Sequence, residues 1–595
     1  MVTIYESSKD NIEDGKKELT SDNHHYFTPR IDHPVEIKNE EIQFKNELGQ
    51  SVKSVNIDSK FSIQMLEFLA QYDKRKQSNK IGVEGNIKVN NVLGSVARAY
   101  EKIRTTVEYK GEHVLRRNAI ERILKRLAWE KESLRPNINT EKIAENLIKE
   151  IIWAGYLKND TIPSEMNAEI FKIVSKYFYL LENLDNIPQG ISTSRVRTWI
   201  WGVASSEIED VLDPSNRDLY VNLMMEWFKE YFEWRDGSFP EHEKDIQIYL
   251  AIHRAYPKSD DAIMRYHLLL REFPNWQTAD KTEVNKLIIN FPRIYKEIEN
   301  HLNFSGRYIL YRKIQKHSAA FEILRNLIDE KQGDFVKTLD NEKKLEKAII
   351  DICDERYGQV KKKVNTGIIR SIIYIFITKV IFALLLEVPY EVFKFGDVRY
   401  IPLSINIFLP PILMFVIGLT IKTPGGKNTQ LIIEKINSIV YKNISQDKMQ
   451  FSLRRKNSGT TLVNIFSLLY MILFIAVFGG ITYLLIMANF SIFGGGIFFV
   501  FLSLVMLFAF RVRYQASLLR VEADKEGFIS HLTSYLTLPL LNFGFFLARG
   551  FAKFNFFTII LDFIIEAPLK SVIEIFEEWT SYVREKKEEV IEMPE

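Results

Sequence analysis

TLVNIFSLLYMILFIAVFGGITYLLI, residues 461–486, contains no Asp, Glu, Lys, Arg or His. A helix rises about 1.5 Å per residue, so this run is long enough to cross a hydrocarbon core of about 30 Å. Two more runs share its character, IPLSINIFLPPILMFVIGLTI (401–421) and IFGGGIFFVFLSLVMLFAF (492–510), and IIRSIIYIFITKVIFALLLEV (368–388) is as apolar apart from Arg370, Lys379 and Glu387. A buried helix of a soluble core rivals one such run, but hardly four. The sequence therefore predicts a membrane protein with four spans.

The loops orient these spans. Arg356, Lys361, Lys362 and Lys363 precede the first. Lys422, Lys427, Lys435, Lys442, Lys448, Arg454, Arg455 and Lys456 lie between the second and third, and Arg511, Arg513, Arg520 and Lys525 follow the fourth. The short connection 389–400 holds only Lys394 and Arg399, and 487–491 has neither Lys nor Arg. Positive charge accumulates on the cytoplasmic side. The expected topology is two transmembrane hairpins, 366–421 and 461–512, joined by a basic cytoplasmic loop at 422–460. Both termini are expected in the cytoplasm, and the expected setting is the cytoplasmic membrane of a prokaryote.

The 595 residues divide unevenly around these hairpins. Residues 1–58 are polar and aperiodic and lack an apolar segment of signal-peptide type, so they read as a disordered tail. Residues 59–365 show helical periodicity and almost no period-2 runs, so they read as an all-helical cytoplasmic domain of about ten helices. In HVLRRNAIERILKRLAWEKE (113–132), Ile120, Ile123, Leu124 and Leu127 form one apolar face. Arg116, Arg117, Arg122, Lys125 and Arg126 form the other. That basic face is either solvated or a surface for anionic lipid or a partner. The overall fold class is all-α.

After the fourth span comes a linker and a Phe-rich stretch, 513–566, with eight Phe between 543 and 563. Arg549, Lys553, Asp562 and Glu566 interrupt it. An interfacial position satisfies both tendencies: Phe545, Phe546 and Phe551 insert while Arg549 and Lys553 reach the headgroups. A fifth span or re-entrant segment is the alternative. Residues 567–595 read as an amphipathic helix in which Leu569, Val572, Phe576, Trp579 and Val583 recur at heptad spacing, suited to packing on the domain or to a partner seam.

Catalytic patterns are missing from the sequence. Thr423-Pro-Gly-Gly-Lys427-Asn-Thr429 lacks phosphate-loop spacing. The adjacent His24 and His25 read as tail. His242, Glu243, His253, Asp260, Asp261 and His267 are the densest group of potential metal ligands, but they read first as helix caps and core. Cys353 is the single cysteine, which excludes an internal disulfide, and its acidic neighbours argue against a reactive thiol. The formal charge of +3 excludes a global nucleic-acid footprint. No cofactor is expected.

Within the spans, Lys379 is an embedded charge and a candidate functional group. Pro410 and Pro411 predict a kink, and Ala476 with Gly480 permits close helix approach. The sequence alone leads to a membrane-anchored helical scaffold, with the bilayer and a cytoplasmic protein or a second copy as partners. A transporter or channel on the four spans is the alternative, and a membrane-bound enzyme a more distant one.

Overall fold

The computed structural model describes residues 35–38, 41–45, 51–56, 60–78, 86–89, 111–133, 139–214, 216–235, 240–331, 335–442, 448–452, 460–521 and 528–553, and positions 98, 101, 102, 575, 579, 582, 583 and 586. The chain is almost wholly helical, with a multi-helix domain followed by four helices long and apolar enough to cross a membrane.

The tail expected at 1–58 is not uniformly irregular. Val35–Lys38 (β1), Glu41–Lys45 (β2) and Ser51–Asn56 (β3) form an antiparallel meander, with Val35 opposite Phe44 and Ile37 opposite Ile42. Apolar residues alternate at 35/37 and 42/44, a period-2 signal that fits a pleated strand and is hidden in so polar a segment.

The helical domain holds two hydrophobic cores. The first is built by Glu112–Ser133 (α2), Thr140–Trp153 (α3), Met166–Glu182 (α4), Thr193–Leu212 (α5), Asp261–Glu272 (α8) and Lys281–Leu302 (α9). Local sequence sets these helices. Asn139 accepts a hydrogen bond from the Glu141 amide and starts α3, which then buries Ile143, Leu147, Ile148 and Ile151 along one stripe. Asp260 and Asp280 cap α8 and α9 in the same way.

The second core joins Ile63–Ser78 (α1), Arg217–Tyr231 (α6), Glu241–Ala255 (α7), Arg307–Lys331 (α10), Phe335–Leu339 (α11) and the start of Glu342–Phe382 (α12). It also takes in residues from beyond the spans. Ile432, Ile436, Ile439 and Val440 of Gly426–Val440 (α15) are buried in it, as are Tyr441, Phe451, Leu519 and Val521. Phe232–Trp234 (β4) pairs in parallel with Met449–Phe451 (β5), and the Phe451 ring lies 4.7 Å from Trp234 and 5.3 Å from Phe232. Tyr441 stacks on Phe61 and donates to the Leu339 carbonyl at 2.7 Å. Residues 426–441, Phe451, Leu519 and Val521 are thus parts of the helical body.

Helix α12 runs without a break from this core into the membrane portion, 41 residues in all. A π-helical turn follows at Ala383–Glu387, then Val388–Phe395 (α13). Tyr400–Leu419 (α14) returns, and Ile492–Ser517 (α17) packs with both. Ile375, Met414, Phe501, Val505, Ala509 and Val512 fill the space between them. Helix α14 continues through Pro410 and Pro411, which are buried. Thr460–Met487 (α16) stands at the edge, touching α17 through the Phe478–Phe499 stack.

The segment expected at headgroup level is described over residues 528–553. Phe528–Lys553 (α18) is one helix lying along the fourth span. A Cβ on Gly544 would sit 2.5 Å from the Ser503 carbonyl oxygen, midway along α17. Asn542 donates to the Tyr470 hydroxyl at 2.8 Å, and Leu540 is buried with Leu485, Phe498 and Leu502. No charged residue falls between 532 and 548, so this stretch can enter hydrocarbon without the cost that Arg549 and Lys553 would impose. Phe545 and Phe546 are exposed, and the Arg549 guanidinium stacks on Phe545. The Lys553 side chain and Phe551, with most of 554–595, lie outside the described side chains. So do Leu569, Val572 and Phe576, while Trp579 and Val583 are exposed.

Candidate functional site

A compact group of buried polar side chains lies between the apolar helices. Lys379 is 0% exposed and Glu387 1%. Its ammonium Nζ stands 3.8 Å from Glu387 Oε2 and 4.6 Å from the Phe501 ring centroid. Eight residues on a regular α-helix turn about 80° past two full turns. The wider π turn between the two residues rotates less per residue, which brings Glu387 back toward the face of Lys379.

Neighbouring helices complete the cluster. Asn406 of α14, 0% exposed, donates from Nδ2 to Glu387 Oε1 at 2.6 Å and to the Gly494 carbonyl of α17 at 3.3 Å. Position 494 is closely packed: a Cβ there would come within 3.0 Å of Glu387 Oε1 and 3.1 Å of Ser491 Oγ, so a side chain would displace one of them. Ser491 caps α17 by accepting from the Gly494 amide. One turn beyond Glu387, the buried Glu391 carboxylate accepts from the Arg399 guanidinium and backbone amide, both at 3.0 Å. Arg399 also donates to the Asn489 carbonyl, tying the two distal connections together.

A carboxylate, an ammonium and an amide therefore meet in an apolar bundle, where charge interactions are strong and partners are few. Such a constellation can bind a small cation or exchange a proton. The sequence singled out Lys379 but saw no partner for it in the other spans. The partner is on its own helix, and the amide that fixes it, Asn406, is a lone polar residue in the second apolar run.

The basic face of α2 is not an open surface. Arg116 pairs with Glu209 and Asp213, and Arg117 with Glu121 and Asp260. Arg122 pairs with Glu101, Lys125 with Glu121, and Arg126 with Glu130 and Glu150. Arg116 and Arg117 are buried. Their acidic partners come largely from other helices, so the helix reads as one-sided in sequence yet is enclosed on both sides.

The potential metal ligands also disperse. His242 and Glu243 line a cavity of about 310 Å³ with Arg271, Glu297 and His301. The His253 and His267 rings lie 4.5 Å apart, and His253 Nδ1 is 3.1 Å from Ser259 Oγ. Burial, with the neighbouring His267 and then His113, holds His253 well below the ordinary histidine range. Asp260 caps α8 and pairs with Arg117. Among the described residues no three ligating side chains converge. Cys353 is buried, and desolvation first, with a smaller contribution from Asp354, pushes its thiol up to about 11.

A second buried network lies in the first core. Glu207, fully buried, accepts from Lys176 at 2.6 Å and from the Tyr177 hydroxyl at 2.7 Å, while Trp276 Nε1 donates to that hydroxyl. Desolvation raises Glu207 and lowers Lys176, each offset by the other. Every member has a protein partner, which is the pattern of a core clamp.

No protein family, curated protein or solved structure matches this chain.

Proposed function

We propose that this protein is a membrane-mounted helical platform whose domain, held on the cytoplasmic side, engages a protein partner. The observation that carries the reading is the shared core of the domain with α15, β5 and residues 519–521. A tethered enzyme or a flexibly linked adaptor has no need of it. Here both membrane-side loops and the continuous α12 fix the domain's orientation relative to the bilayer. The excess of Lys and Arg in those same segments supports the cytoplasmic side.

Transport is the second reading, favoured by the Lys379–Glu387–Asn406 cluster. Two measurements on one preparation separate the readings. Purified protein in liposomes is assayed for proton and monovalent-cation flux, and cells expressing the full chain are cross-linked and the sites mapped. The platform reading expects no flux above empty liposomes, with cross-links to other proteins concentrated on residues 60–340. Flux that Glu387→Gln removes would overturn it.

A further inference from the structure

Buried polar residues in the membrane helices are distributed asymmetrically. Lys379, Glu387, Glu391, Asn406, Ser491 and Ser503 are each less than a tenth exposed, and all lie at mid-level or in the half away from the helical domain. Residues buried between the same helices in the nearer half are apolar: Val364, Ile375, Met414, Val505, Ala509 and Val512. Polar groups continue to the far rim through Glu391 and Arg399 and stop at an apolar plug on the domain side. That is the layout of a site entered from one face, without a path across.

This cluster holds unmet hydrogen-bonding capacity. Lys379 Nζ, Glu387 Oε2 and Asn406 Oδ1 are buried and lack hydrogen-bond partners. The 3.8 Å between Nζ and Oε2 exceeds a direct hydrogen bond. Facing Glu387 are Lys379 and Glu391 from its own helical segment, Asn406 from α14 with Arg399 at its start, and the Ser491 hydroxyl and Gly494 carbonyl from α17. Helix α16 has no charged residue, and Arg549 of α18 stacks on Phe545. Two cationic and two anionic groups balance, so one proton gained or lost changes the net charge of the cluster.

We propose that Glu387, held by Lys379 and Asn406, is a proton-binding site addressed from the face of the membrane opposite the helical domain. The step is a simple uptake: the Glu387 carboxylate takes one proton from water at the far rim and becomes a carboxylic acid. Release returns the proton to the same side. Lys379 supplies the counter-charge of the deprotonated state, and Asn406 orients the carboxylate.

Infrared difference spectroscopy across a pH titration tests this on the full chain in lipid nanodiscs and in vesicles of one orientation. The expected result is a carboxylic-acid C=O band that appears reversibly as the pH is lowered. Uniform 13C-glutamate should shift it in the unaltered protein, and Glu387→Gln should abolish it. Glu391→Gln should leave it, and Lys379→Met or Asn406→Leu should move its midpoint by about one pH unit or more. Should Glu387→Gln fail to fold, Glu387→Asp should shift the band. In vesicles it should follow pH on the face away from the domain. No titrating glutamate band, a band that survives Glu387→Gln, a midpoint indifferent to both Lys379→Met and Asn406→Leu, or a response to pH on the domain side would each overturn the proposal. So would a midpoint that moves with sodium at constant ionic strength, which marks a metal-cation site.

Discussion

Replacing Lys379 by methionine isolates the most consequential contact in the membrane portion. Judged from sequence, the change removes a charge from mid-membrane and should relieve about 3 kcal/mol. The structure reverses the sign. Lys379 does not face lipid: it is 0% exposed, with its ammonium 3.8 Å from a carboxylate that is itself 1% exposed. Removing it leaves Glu387 buried with Asn406 as its remaining close donor. Breaking a buried pair from one side costs about 3–5 kcal/mol, and this exceeds what methionine gains by its better transfer. Lys379→Met should therefore lose about 3 kcal/mol. The double variant Lys379→Met/Glu387→Gln strands no charge and should return to within about 1 kcal/mol of the original. All eight tryptophans lie outside the four spans, so unfolding in detergent must be followed by far-ultraviolet circular dichroism rather than by Trp fluorescence. A Lys379→Met protein at least as stable as the unaltered chain would refute the pairing argument.

Three other outcomes follow from the same structure. Burial, aided by nearby cationic side chains, holds His113 and His317 at about 3. The unfolded chain binds protons below about pH 6.5 while the native domain does not, so this stability is present above that pH and falls by up to ~1.4 kcal/mol per pH unit per histidine below it. Thermal melts at about pH 7.5 and about pH 5 should show the drop, and His317→Phe, which keeps a ring against Trp227, should make it shallower; a flat profile would contradict the assignment. Gly544→Ala should cost about 1–3 kcal/mol and loosen α18 from α17, because the new Cβ meets Ser503 backbone at 2.5 Å, and an unchanged detergent melt would count against that packing. Phe451→Ala, at a residue 1% exposed, should cost about 3–5 kcal/mol and expose the 422–460 loop to protease, whereas wild-type resistance in the variant would mean that Phe451 does not hold the loop on the domain.

The parts legible in sequence were those set by local pattern. Four long apolar runs, three of them free of charge, marked the spans, and the spacing of Ile143, Leu147, Ile148 and Ile151 marked a helix with one buried face. What stayed hidden depends on non-local pairing. The arginines of α2 look solvated until Glu209, Glu150 and Asp260 arrive from other helices. The 422–460 loop reads as basic and polar, although Ile432, Ile436, Ile439 and Phe451 enter the domain core. Lys379 looks isolated because α-helical spacing sends Glu387 to another face, and a π turn has no sequence signature that a periodicity reading detects. Asn406 carries no charge, and a lone amide in an apolar run has no periodicity that ties it to a partner.

We propose that the domain and the loop between the second and third spans form one body on one side of the membrane. Glu233 and Gln450 are register partners in the β4–β5 pair, and both side chains are exposed. Cysteines at these two positions, with the native Cys353 replaced by alanine, should therefore form a disulfide in intact membranes under mild oxidation, because paired strands hold Cα atoms within disulfide range. The account predicts a protease-resistant link between the fragments 1–421 and 422–595 that reductant releases. Failure of the pair to cross-link in membranes, while each cysteine alone reacts freely with a soluble maleimide, would contradict it.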